Sequence, residues 1–95
     1  MTVQVTIIGL RQIGTSIGLA LGEYKDQIVR TGTDADPARV QLAQKRGALD
    51  KINYRLADAV RDADVVLLAV PIEEVKETLK MITPELRAGD RKSVV

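Results

Sequence analysis

Val3-Gln4-Val5-Thr6-Ile7-Ile8-Gly9-Leu10-Arg11-Gln12-Ile13-Gly14-Thr15-Ser16-Ile17-Gly18 is the stretch that decides the fold of this 95-residue chain. Its first part is a β-branched run, Val3, Val5, Ile7 and Ile8, stopped by Gly9, and reads as a strand. Beyond the turn, Ile13, Ile17, Ala20, Leu21 and Tyr24 recur at helical spacing. A strand that turns on a glycine directly into a helix is the opening of a βαβ unit. Gly14, Gly18 and Gly22 are spaced at i+4, so one face of that helix is bare and suited to close approach to strand one or its neighbour. The segment is too short, and too closely flanked by Arg11, Glu23 and Lys25, for a membrane reading of the same glycines.

The alternation continues downstream. Ile28 to Thr33 forms a second β-type run ending in Asp34, and Pro37 suits the first turn of a helix continued by Val40, Ala43 and Gln44. Gly47 supplies its stop. A short strand is expected within Ala48 to Asn53, then one or two helical turns over Leu56 to Val60. Asp64 opens the most apolar run, Val65 to Val70, which is expected to be a central strand buried on both faces. Pro71 ends it and starts a helix carrying Ile72, Val75, Leu79 and Ile82, with Glu73 and Glu74 in the turn where negative charge suits the dipole. Lys92 to Val95, after Gly89, reads as the start of a fifth strand. Crossovers of this length imply right-handed βαβ units. The expected fold is α/β, a Rossmann-type doubly wound parallel sheet of about five strands in order 3-2-1-4-5. It forms a single domain over residues 1–95, cut at strand five.

Composition removes many alternatives. The chain has no Cys, so it holds no disulfide framework or thiol nucleophile, and no His, so it holds no imidazole base or Ser-His-Asp triad. Fourteen Lys and Arg against 13 Asp and Glu give a net charge of +1, and two aromatics make no base-stacking platform; nucleic acid is not an expected partner. The N-terminus has no basic segment ahead of an apolar one, and no uncharged run approaches the roughly 20 residues of a membrane span. A cytoplasmic location is expected, with no membrane partner.

Ligands of such sheets bind beyond the carboxyl ends of the strands, beside strand one. There, Gly9 and Gly14 fill the first and third positions of the dinucleotide fingerprint G-x-G-x-x-G. Gly9 permits the tight turn, Gly14 allows close packing of helix on sheet, and the helix start offers N–H groups to a pyrophosphate. The middle glycine is replaced by Arg11. Either Arg11 obstructs the pocket, or its guanidinium pairs with a phosphate and offsets the lost close approach. Asp34, 25 positions after Gly9, stands where a carboxylate accepts from adenosine ribose hydroxyls, favouring NAD over NADP. The competing reading is an Asx-turn or N-cap ahead of Pro37, although Asp36 is better placed as the cap. Arg39 is read as a surface charge rather than a 2′-phosphate ligand. Thr15 and Ser16 either reach a phosphate or bond to backbone. Asp58, Asp62 and Asp64 are expected as caps and a solvated face, and Glu73, Glu74 and Glu77 with Lys76 and Lys80 as an exposed helix surface.

In combination these segments resemble the prephenate and arogenate dehydrogenases. The turn Ile8 to Gly18 resembles their G-L-G-x-I-G-x-S, and Thr33-Asp34-Ala35-Asp36-Pro37 looks like their strand-two end. Ala63-Asp64-Val65-Val66-Leu67-Leu68-Ala69-Val70-Pro71 is similar to A-D-x-V-x-L-A-V-P, and Leu86-Arg87-Ala88-Gly89 to the L-x-x-G before strand five. Related β-hydroxyacid dehydrogenases and pyrroline-carboxylate reductases share parts of the pattern. The resemblance implies the nucleotide-binding domain of an enzyme of tyrosine biosynthesis that oxidises prephenate or arogenate with NAD(P) and decarboxylation. It implies cofactor contacts from the turn residues Gly9, Leu10, Arg11, Gln12, Ile13 and Gly14, from Asp34, and from the Ala69-Val70-Pro71 corner. The family's strand-five loop, catalytic histidine and helical substrate and dimerisation domain have no counterpart here. The expectation is therefore a dinucleotide-binding chain, NAD before NADP, inactive alone, and a homodimer or the partner of a separate helical domain. A non-catalytic assembly module with a decayed nucleotide site is the alternative.

Overall fold

A computed structural model describes residues 2–88 and 93–95, so Gly89 and Lys92 of the expected fifth-strand approach lie outside the described residues. In chain order the elements are β1 (Val3–Ile8), α1 (Gln12–Leu21) with a 3-10 turn at Gly22–Tyr24, β2 (Ile28–Thr33) and α2 (Pro37–Lys45). They continue as β3 (Lys51–Ile52), α3 (Leu56–Arg61), β4 (Val65–Leu68), α4 (Ile72–Ala88) and β5 (Ser93–Val94). The strands form one sheet in the order β3-β2-β1-β4-β5, the order expected from the sequence. Every pairing is parallel, and β1 is central, with Ile7 opposite Gly32 on one side and Leu67 on the other.

Alternation along β1 divides the core. Val5 and Ile7 join Leu10, Val40, Ala43, Ala48 and Leu49 on one face, while Ile8 joins Val60, Ala63, Val66 and Ile82 on the other. Full burial of a side chain such as Ile7 or Ile82 contributes about 1.5–3 kcal/mol. Thr6 is buried too, and its hydroxyl donates to the Ala59 carbonyl at 2.6 Å. Asp64 accepts the Gln4 N–H at 2.8 Å and so ties the start of β4 to β1.

One packing expectation needs correction. Within Val65 to Val70 only Val66 is fully buried, and its neighbours are half-buried. Val65 and Leu67 face the side held by α1 and α2, helices that contact β1, β2 and β3 and leave β4 partly open. In α1 the apolar series marks a helix whose glycine face turns inward as expected, leaving Ile13 70% exposed and Tyr24, in the 3-10 turn that follows, 52%. The residues buried are Gly14, Thr15 and Gly18. A Cβ on Gly18 would run into the Ala48 carbonyl oxygen and sit 3.1 Å from the Ala48 Cβ, so the helix approaches too closely for its isoleucine face to turn inward. α4 also continues past Ile82 through Pro84, which costs one helical hydrogen bond, and the Thr83 hydroxyl donates back to the Leu79 carbonyl.

Arg30, in the middle of β2, is 5% exposed. Its Nη1 donates to the carbonyls of Gly18 (2.8 Å) and Gly47 (2.9 Å), while Nε and Nη2 donate to Asp50 at 3.1 and 3.0 Å. One guanidinium thereby joins α1, the turn after α2 and the approach to β3. The bond from Arg30 holds the Asp50 carboxyl below the usual carboxylate range, against the smaller opposing effect of burial.

Candidate functional site

At the carboxyl ends of β1, β2 and β4 the chain leaves a cleft of about 500 Å³. Its walls come from Gly9 and Arg11 after β1, Thr33, Asp34, Ala35 and Arg39 after β2, and Ala69, Val70 and Pro71 after β4. Tyr54 and Leu56, and the α4 residues Glu73, Glu74, Glu77, Thr78 and Met81, complete it.

The turn is built by backbone. Gly9 has φ +99°, in the region that disfavours a side chain, and a Cβ there would meet the Ala69 carbonyl oxygen. The Gly9 N–H donates to Thr33 at 2.9 Å and the Ala69 N–H to Ile8 at 2.8 Å, which ties the three strand ends together. A Cβ on Gly14 would strike the Gly9 carbonyl and lie 3.2 Å from the Ala69 Cβ, so Gly14 serves the close helix packing expected of it. The Thr15 hydroxyl donates to the Leu10 carbonyl at 3.0 Å, which decides its open reading in favour of a backbone bond.

Six of the sequence-derived site residues, Gly9, Arg11, Asp34, Ala69, Val70 and Pro71, meet in this cleft. Leu10, Gln12, Ile13 and Gly14 do not line it. Leu10 is in the core and Ile13 points to solvent. Sequence reasoning missed Tyr54, Leu56, Thr78 and Met81, set Arg39 aside as a surface charge, and took Glu73, Glu74 and Glu77 for plain surface. Nothing in local spacing places Tyr54, Leu56, Thr78 and Met81 at the cleft, because α4, the β3–α3 loop and the start of α3 reach it only through sheet order.

The start of α1 is electrostatically open. Arg11 is its N-cap in extended conformation, with no side-chain capping bond and no acid in the first turn. By contrast α2 is capped by Asp36, which accepts from Ala38 at 3.0 Å, and α3 and α4 carry Asp58 and Glu73 with Glu74 in their first turns. Among the described helices α1 alone lacks both devices, so its first N–H groups and positive dipole end remain available to an anion.

Asp34 is more committed than the sequence implied. Its Oδ2 accepts the Leu10 N–H at 2.7 Å, and its Oδ1 accepts the Asp36 N–H at 2.9 Å and Arg39 Nη1 at 3.3 Å. The Asx-type contact to Asp36 is therefore made, and the carboxylate also clamps the glycine turn. Open N–H donors, a carboxylate at the end of β2 and apolar walls from Leu56, Val70 and Met81 are the groups a dinucleotide requires.

Comparison with known proteins agrees with this geometry. Residues 17–91 match the family model described as prephenate dehydrogenase, nucleotide-binding domain, a match that begins just beyond the glycine turn. The prephenate dehydrogenase of Lactococcus lactis is 37% identical over 87 residues, which cover 90% of this chain and 24% of that protein. The structure of prephenate dehydrogenase from A. aeolicus with hydroxyphenyl propionate and NAD+ superposes with a TM-score of 0.82 at 22% identity, covering 99% of this chain and 32% of that one. Synechocystis arogenate dehydrogenase gives a TM-score of 0.76 at 22% identity, covering 86% and 28% of the two chains. Among the described residues no helix is long and apolar enough to cross a membrane.

Proposed function

Since the chain belongs to the family of prephenate dehydrogenase nucleotide-binding domains, we propose that its cleft holds a nicotinamide dinucleotide, NAD in preference to NADP. The open start of α1 carries this reading, since its uncapped N–H groups follow directly on the exposed Arg11, which lines the same cleft as Asp34. Arg11 is a phosphate ligand rather than an obstruction, because its side chain caps nothing and lines the cleft. Asp34 receives the adenosine ribose, and the Ala69-Val70-Pro71 corner forms the wall along which the dinucleotide lies. When bound, the dinucleotide supplies the hydride acceptor for oxidation.

The remaining chemistry lies with groups outside these 95 residues. The chain spans 24% of the Lactococcus relative and contains no histidine. We assign it as the cofactor-binding part of a cytoplasmic enzyme that oxidises prephenate or arogenate in tyrosine biosynthesis, with no catalysis by the chain alone. Calorimetric titration with NAD tests the proposal, and saturable binding is expected at about 1 mM ligand or below. Arg11→Gly is expected to weaken that binding. Tighter binding by the variant would mean that Arg11 obstructs a decayed site, and no binding by either form would dismiss the cofactor assignment.

A further inference from the structure

We propose that Arg39 governs how the cleft responds to the 2′ position of an adenosine ribose, by competing with the ribose for Asp34. The inference rests on the dinucleotide reading above and assigns a determinant of specificity within it.

A carboxylate offers about four acceptor positions, two on each oxygen. In Asp34 both positions of Oδ1 are taken, by the Asp36 N–H and by Arg39, and one position of Oδ2 is taken by the Leu10 N–H. A ribose presenting two hydroxyls needs two acceptors and finds one. Of the three present donors, two are backbone groups fixed by the glycine turn and the approach to α2. The third is a side chain 37% exposed, and its 3.3 Å contact is the longest of the three. Arg39 is the donor that yields.

Its displacement has two consequences. Oδ1 becomes free for a ribose hydroxyl, and the guanidinium stays in the cleft, because α2 carries it beside Asp34 and Asp36, 3.7 Å from Asp36 Oδ2. Facing a 2′-hydroxyl, Asp34 accepts and Arg39 has no further role. Facing a 2′-phosphate, Asp34 repels while the released guanidinium pairs with the phosphate oxygens. Arg39 thus competes against NAD and supports NADP, which narrows a discrimination that Asp34 alone would make wide.

The test titrates the 95-residue chain, its Arg39→Ala variant and its Arg39→Gln variant with NAD and with NADP, each form first checked for folding by circular dichroism. Loss of the charge-assisted contact is expected to weaken NADP about tenfold, and loss of the competitor to tighten NAD about threefold. The ratio of the two affinities therefore widens in both variants. An unchanged ratio, or equal weakening of both ligands, overturns the role of Arg39 and leaves the dinucleotide reading standing. A parent chain that binds neither ligand overturns both.

Discussion

Replacing Arg30 by methionine keeps the apolar stem of the side chain but removes the guanidinium and its four donated hydrogen bonds at once. The carbonyls of Gly18 and Gly47 lose a partner, and a buried acceptor left without one costs about 1–3 kcal/mol. The Asp50 side chain is 30% exposed, so its half of the ion pair is screened and contributes only about 1 kcal/mol. Freeing the guanidinium from its nearly buried site returns part of this, because a buried charge is costly even when paired. The net expectation is a loss of about 3 kcal/mol, in a domain whose whole stability is about 5–10 kcal/mol. Urea unfolding followed by circular dichroism should show a lower midpoint at unchanged slope, and thermal melting a drop of roughly 15 °C. Asp50→Asn removes only the screened part and should cost about 1 kcal/mol. If Arg30→Met stays within about 0.5 kcal/mol of the parent chain, the guanidinium does not hold α1 to the sheet and the reasoning fails.

The pH dependence of the same pair has a definite sign. Because folding lowers the Asp50 pKa, its contribution is present above the unfolded value and is lost as the pH falls through the folded one. As the pH falls below about 4 the gap between the stability curves of the parent and Asp50→Asn should narrow, and a gap that does not narrow would contradict the assignment. Gly14→Ala and Gly47→Ala separate two uses of glycine. The first drives a Cβ into the Gly9 carbonyl and should cost about 3 kcal/mol together with dinucleotide binding. The second has φ +85° and an added Cβ there would meet no atom within 4 Å, so about 1 kcal/mol of backbone strain is the whole expected effect in thermal melts. For the 95-residue chain taken by itself, we propose self-association along the edge strand β5, beside which Val94 and Val95 are exposed. In sedimentation the parent chain should form dimers that Val94→Lys disperses, and a monomeric parent at high concentration would exclude that edge.

The turn at Gly9 and the order of the strands were legible in the residues because they depend on short-range chemistry. β-branched runs, a glycine that tolerates positive φ and prolines at helix starts act within a few residues, and crossover handedness then leaves few topologies. Asp34 was legible as a position but not as a set of contacts, since Leu10 lies 24 residues earlier and Arg39 a turn later. The inward face of α1 was legible from the i+4 spacing of Gly14 and Gly18, which leaves a bare face for close approach. Hydrophobic spacing says which residues favour burial, whereas the distance between α1 and Ala48 decides that only glycines fit there.

What the sequence determined by itself was therefore the α/β alternation, the parallel sheet with β1 at its centre, and the glycine turn that places a helix start at the switch point. Only the tertiary structure decided that Arg30 is a buried clamp, that Arg39 shares Asp34, and that α4 supplies the far wall of the cleft. Arg39 lies only five residues from Asp34, and side-chain geometry at the start of α2 decides that contact; the other two depend on atoms brought within about 3–4 Å across long chain separations, and no local pattern encodes a distance between groups that meet only after the sheet has formed.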